Sequence, residues 1–217
     1  MRTPLCNFLY AAFIVGSLFQ LHGCSDPPTP RERGFPRVIL PEHAYQSFDC
    51  PLCPFTFQYP TYGKVYQRKP DSCHFDIIFP EYGATWHLTL ESLNEDYTYS
   101  DAYEKYHSMI FQHSGKGKIY EQDLAMENGT GKYFEIYGEV PTSAQVFFSD
   151  SVNYALEASL YFNSALHNDS LAPVIEFLKK DLEKMVQSLA WRPEFRRARG
   201  NADCGDDVKP IMRVTPL

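Results

Sequence analysis

Apolar and polar positions alternate along much of the chain and mark out strands. Phe55, Phe57 and Tyr59 alternate with Thr56 and Gln58 until Pro60 ends the run. Phe75 to Phe79 is a short apolar run stopped by Pro80. In Thr85 to Leu90, Trp86, Leu88 and Leu90 point one way while Thr85, His87 and Thr89 point the other. Asn128-Gly129-Thr130-Gly131 reads as a turn joining Ile119–Ala125 to Tyr133–Tyr137 in a hairpin. A second hairpin joins Gln145–Phe148 to Tyr154–Phe162 through Ser149-Asp150-Ser151. Its second arm places Tyr154, Leu156, Ala158, Leu160 and Phe162 on one face.

Two segments follow helical spacing instead. Tyr99, Ala102, Tyr103, Tyr106, Met109 and Ile110 recur at intervals of three and four, and Gly115 supplies a stop. From about Ser170 to Ala190, Val174, Ile175, Leu178, Leu182, Met185, Val186 and Leu189 form a continuous stripe. Glu176, Lys179, Lys180, Glu183 and Lys184 lie opposite it. Asp169 or Ser170 would cap this helix, with Pro173 in its first turn, where a missing N–H costs little. Strands, a helix, more strands and a long final helix predict an α+β domain with a mainly antiparallel sheet. No internal repeat is visible.

The first residues have a different character. Arg2 precedes an apolar run from Phe8 to Phe19, too short to span a hydrocarbon layer of roughly 30 Å as a helix. Leu21-His22-Gly23-Cys24 resembles the lipobox of bacterial lipoproteins, in which the cysteine becomes the lipid-bearing N-terminus. His22 departs from the usual small residue. Residues 1–23 are therefore expected to be a signal peptide and Cys24 the lipid attachment site. Several acyl chains would then give stable membrane anchoring. Residues 24–34, with three prolines and mixed charges, read as an extended tether. The α+β domain is expected over 35–191, followed by a mobile tail over 192–217.

Cleavage before Cys24 leaves 194 residues (217 minus 23) and moves the net charge from −7 to about −8, since Arg2 is lost. One well-buried domain fits that length. The acidity argues against nucleic acid as a partner, because phosphate binding needs clustered Lys and Arg. Export implies an oxidising compartment, and Cys50, Cys53, Cys73 and Cys204 remain to pair. Four cysteines allow three pairings, and sequence alone does not choose among them. The preferred one joins Cys53 to Cys73 across the first strand region and Cys50 to Cys204 at the tail. Cys50-Pro51-Leu52-Cys53 also has the spacing of a redox pair or half a zinc site. However, it precedes a strand rather than opening a helix, and no second paired motif exists.

Other chemistry is sparse. His74, His87, His107 and His113 form no metal-ligand pattern, and His87 reads as a hydrogen-bonded structural residue. No serine elbow appears, and Gly115-Lys116-Gly117-Lys118 follows a helix, as a C-cap and turn, rather than opening one. No catalytic residue, cofactor or metal is therefore expected. Aromatic residues make up 15% of the chain, and those left exposed favour a binding role over catalysis.

Four blocks resemble the gliding-motility lipoprotein GldD family of the Bacteroidetes, between about Arg33 and Trp191. They are Cys53-Pro54-Phe55-Thr56-Phe57-Gln58-Tyr59-Pro60; Cys73-His74-Phe75-Asp76-Ile77-Ile78-Phe79-Pro80 with Trp86-His87-Leu88; Gln145-Val146-Phe147-Phe148-Ser149-Asp150-Ser151; and Leu160-Tyr161-Phe162-Asn163 with Asp169-Ser170-Leu171-Ala172-Pro173-Val174. The resemblance implies an envelope lipoprotein with no enzymatic activity assigned, serving surface gliding and the linked type IX secretion machinery alongside other envelope proteins. The anchor is taken to face the periplasm, with inner and outer membrane both open. Its members tend to carry one cysteine in each of the first two blocks, which supports pairing Cys53 with Cys73. The strand–helix order is also similar to PsbP/Mog1-like α/β/α sandwiches. Asp150-Ser151-Val152 and Asp169-Ser170-Leu171 resemble the O-glycosylation motif of such bacteria, although a turn and a helix cap explain both equally well. The runner-up function is a periplasmic thiol-redox or other enzyme-type lipoprotein using Cys50 and Cys53.

Overall fold

The computed structural model describes residues 38–69, 72–115, 117–138, 140–163, 168–192, 195, 204 and 208–210. The signal peptide, Cys24 and the tether lie outside the described residues, as does the side chain of Ser170. Everything described belongs to one unit, Phe35–Leu217.

An eight-stranded sheet forms the middle of the domain. In chain order its strands are β3 (Lys64–Gln67), β4 (His74–Phe79), β5 (Ala84–Ser92), β6 (Lys118–Met126), β7 (Gly129–Tyr137), β8 (Thr142–Ser149), β9 (Tyr154–Phe162) and β11 (Val208–Pro210). Across the sheet they run β11-β3-β4-β5-β9-β8-β7-β6, antiparallel throughout except where β11 lies parallel to β3. Helix α1 (Tyr99–His113) carries the chain from β5 to the far edge, and β6 to β9 return as a meander. A smaller sheet joins β1 (Tyr45–Asp49), β2 (Phe55–Pro60) and β10 (Ala190–Trp191).

The pattern of burial defines the layers. Ala102, Tyr106 and Ile110 of α1 pack with Phe134, Ile136, Phe147 and Ala155 on one face of the sheet. On the other face, Trp86, Leu88, Val146, Leu156 and Leu160 meet the small sheet and the stripe of helix α2 (Asn168–Gln187). β8 is consequently buried along its whole length, and β9 alternates between bulky residues facing α2 and Ala155, Glu157 and Ser159 facing α1.

The α1 boundaries follow from local chemistry. The Thr98 side chain accepts from the Asp101 N–H while the Asp101 carboxylate accepts from the Thr98 N–H, a reciprocal cap that satisfies two otherwise orphaned donors. Beyond the Ser114 C-cap, Gly115 adopts φ +54, where a side chain is strained.

Three expectations need correction. The β6–β7 turn is Glu127-Asn128, and Gly129 to Gly131 already belong to β7. A Cβ on Gly131 would lie 1.9 Å from the Phe147 carbonyl oxygen, so this glycine allows close approach of β7 and β8 rather than a turn. Helix α2 starts at Asn168, which puts Pro173 inside it rather than in its first turn. The segment after Trp191 is not mobile throughout: Val208–Pro210 pairs with β3, while the Cys204–Cys50 bond is the pairing preferred from the sequence.

Candidate functional site

The cysteines form a nested staple. Cys53 is bonded to Cys73 and Cys50 to Cys204, with Cα separations of 5.6 and 4.4 Å. All four are buried, and Cys53 N–H donates to the Cys50 carbonyl to close the turn between them. The thiol-redox reading required Cys50 and Cys53 as partners of each other. The fold gives each a different partner, because the segment after the second cysteine runs off as β2 instead of opening a helix.

The most concentrated polar cluster surrounds Asp181, a fully buried residue of α2. His43 Nδ1 lies 2.6 Å from its Oδ1, the Tyr45 hydroxyl donates to the same oxygen at 2.9 Å, and the Tyr62 hydroxyl donates to Oδ2. Burial, then the Asp181 carboxylate, push the Tyr45 hydroxyl up to about 12 and raise that of Tyr62 further. Both therefore stay protonated donors, and Nδ1–H of His43 completes the set. Phe177, one turn earlier, stacks on His43 and Tyr62 with ring centroids at 4.3 and 5.6 Å. One helical turn thus grips the lead-in to β1, β1 itself and the turn after β2.

His87 takes the structural role expected of it. Its Nδ1 lies 2.6 Å from Asp76, whose carboxylate also meets Arg68 Nε at 3.3 Å. Asp76 and His87 face each other across β4 and β5. Among the described residues no three His, Cys, Asp or Glu side chains gather as a metal site.

Under α1 lies a third buried acid. Glu157 of β9 is 8% exposed, and its Oε1 has no hydrogen-bond partner among the described residues. Glu91 sits nearby, paired with Lys105 at 2.9 Å. Burial, helped by Glu91 and opposed by Lys105, pushes the Glu157 carboxyl up to about 7 from 4.5. A carboxyl raised in the fold holds its proton more tightly than in the unfolded chain. Stability is then greatest below about pH 4.5 and falls as pH rises towards 7. Glu157→Gln is expected to remove that slope and to gain roughly 1–3 kcal/mol at pH 8. Urea midpoints of both proteins at pH 5 and pH 8 check it, and equal midpoints at pH 8 would contradict it.

Lys179 departs from its expected place on the solvated face of α2. It is 4% exposed, held between Glu176 (3.0 Å) and Glu135 (3.6 Å) with its ammonium 4.9 Å from the Tyr137 ring. The reason is that Glu135 and Tyr137 of β7 cover that side of the helix. Beyond it, Tyr120 and Tyr137 are 59% and 47% exposed and meet edge to face at 5.5 Å. Ser151 is exposed at the β8–β9 hairpin with φ +65, its N–H bonded to Ser149 Oγ.

The molecule is thus an α+β sandwich with buried structural acids and an exposed aromatic edge. The chain belongs to the gliding motility lipoprotein GldD family, whose model matches residues 25–191. Membership places it among the lipid-anchored envelope proteins of a motility system. No curated protein matches it. A solution structure of cyanobacterial PsbP from Synechocystis sp. PCC 6803 is similar over 70% of this chain and 98% of that one, at 10% identity and a TM-score of 0.41. A crystal structure from Bacteroides thetaiotaomicron VPI-5482 is similar over 69% of this chain and 49% of the other, at 13% identity and a TM-score of 0.38.

Proposed function

We propose that the chain is held at the periplasmic side of the envelope by acyl chains on Cys24. There it serves as a non-enzymatic scaffold or assembly factor of the gliding machinery and the linked type IX secretion system. Family membership across residues 25–191 carries this reading. The surface supports it: Phe111, Tyr120 and Tyr137 are large side chains left exposed on a net acidic chain, a composition suited to docking proteins.

The test is deletion of the gene with complementation by wild type and by Cys24→Ala, scored for colony spreading and secreted cargo. Deletion is expected to abolish both. Cys24→Ala should accumulate without restoring either, since the anchor supplies the location. Spreading and secretion that survive deletion would remove the reading.

A further inference from the structure

Among the described residues, strand β6 closes one end of the large sheet and pairs only with β7. Its outer side is a row of main-chain N–H and C=O groups nine residues long, about 30 Å at the usual rise. It has no proline, so nothing in its sequence removes the donors.

Beside this edge runs a groove. Between β6, β7 and α2 lies a cleft of about 310 Å³ bounded by Gln122, Leu124, Tyr133, Glu183 and Val186. It shares Ala125 and Met126 with a second cleft of about 640 Å³ at the hairpin tips, which reaches Trp191. Two buried donors stand along this path with no partner among the described residues. They are the hydroxyl of Tyr133, a residue only 4% exposed, and Nε1 of Trp191. A buried donor left unpaired is costly, which marks a place where an acceptor belongs.

We infer that this groove receives an extended segment of a partner protein, which adds to β6 as a further antiparallel or parallel strand. The unpaired edge selects the conformation: an incoming strand can satisfy it, while a helix has already spent its own main-chain groups. Leu124 and Met126 call for apolar side chains at alternate positions of that segment. Charge selects the rest. Glu127 and Glu183 line the two clefts with no ion pair or hydrogen bond among the described residues, whereas Asp123 is paired with Lys132 and Asp150 accepts from its own hairpin. No lysine or arginine lines the clefts, so the intervening positions should carry Lys or Arg. The inference rests on the docking role proposed above and gives it a location and a partner chemistry.

The experiment places a photo-reactive phenylalanine analogue at Gln122, and separately at Glu104 on the opposite helix, in the full chain in living cells. Both positions are exposed. Gln122 should crosslink at least tenfold more than Glu104 to one segment of another protein, with apolar and basic residues alternating. That segment, made as a peptide, should slow amide exchange in β6 when bound to the full chain purified from membranes. Glu127→Lys combined with Glu183→Lys should weaken it at least tenfold. Tyr133→Phe should weaken it severalfold without lowering the urea midpoint. Equal crosslinking from both positions overturns the inference. So does a helical or acidic segment, a second copy of this chain, one of its own segments, or lipid alone. If deletion leaves spreading and secretion intact while the basic strand still binds β6, only the motility reading fails. If deletion abolishes both and no such segment is found, only the groove fails.

Discussion

Asp181→Ala is expected to cost about 2–4 kcal/mol of unfolding free energy, because it removes the one buried acceptor that three partly exposed donors share. The carboxylate accepts from Tyr45 and Tyr62 and holds His43, and the rings of His43 and Tyr62 stack on Phe177, so the loss of the acceptor also loosens that packing. The loss should fall on the N-terminal part of the domain: amides of β1 and the turn after β2 should exchange faster, while β8 and β9 keep their protection. Asp181→Asn, which preserves shape and one acceptor, should lose less. Urea unfolding of the three proteins measures this, and a loss below about 1 kcal/mol for the alanine variant would mean the cluster is not a structural anchor.

An effect at least as large should come from the disulfides. Separations of 154 and 20 residues give chain-entropy contributions of about 5 kcal/mol for Cys50–Cys204 and about 3 kcal/mol for Cys53–Cys73. Cys204→Ser should therefore destabilise more than Cys73→Ser, and it should also release β11 from β3, which three paired residues alone do not secure. Peptide mapping without reduction tests the connectivity directly. With all four cysteines buried, alkylation in the native state should find no thiol, before or after mild reduction. Ready trapping of Cys50 and Cys53 together would revive the redox alternative.

Which parts of the fold could be read from sequence depends on how local their causes are. The limits of α1 were legible because its aromatic spacing and the Gly115 stop are local to the segment, although the Thr98–Asp101 cap that fixes its start was not read. β5 and β9 announced themselves by alternation against a deep core. β1 and β3 did not: Tyr45–Asp49 buries Phe48 alone, and Lys64–Gln67 buries Val65 alone. Such strands exist because distant partners pair with them, and β11 needs both a covalent bond and a remote edge. The site was less legible still. Asp181 lies among charged neighbours on α2, and its burial comes from Phe177 and from residues more than a hundred positions earlier. Lys179 was misread for the same reason, since only the placement of Glu135 and Tyr137 reveals that its side of the helix is covered. The β6 edge was visible as a strand but not as an edge, because strand order is a property of the whole sheet.

The nesting of one disulfide inside the other bears on how the protein is made. A chain delivered across a membrane from its N-terminus presents Cys50 and Cys53 to the oxidising side almost together, and Cys204 last of all. Oxidation in order of arrival joins neighbours and gives the wrong product, with Cys50 consumed before its partner appears. Where oxidation follows that order, the native connectivity is reached only after the early bond is reshuffled, a step that a thiol isomerase speeds.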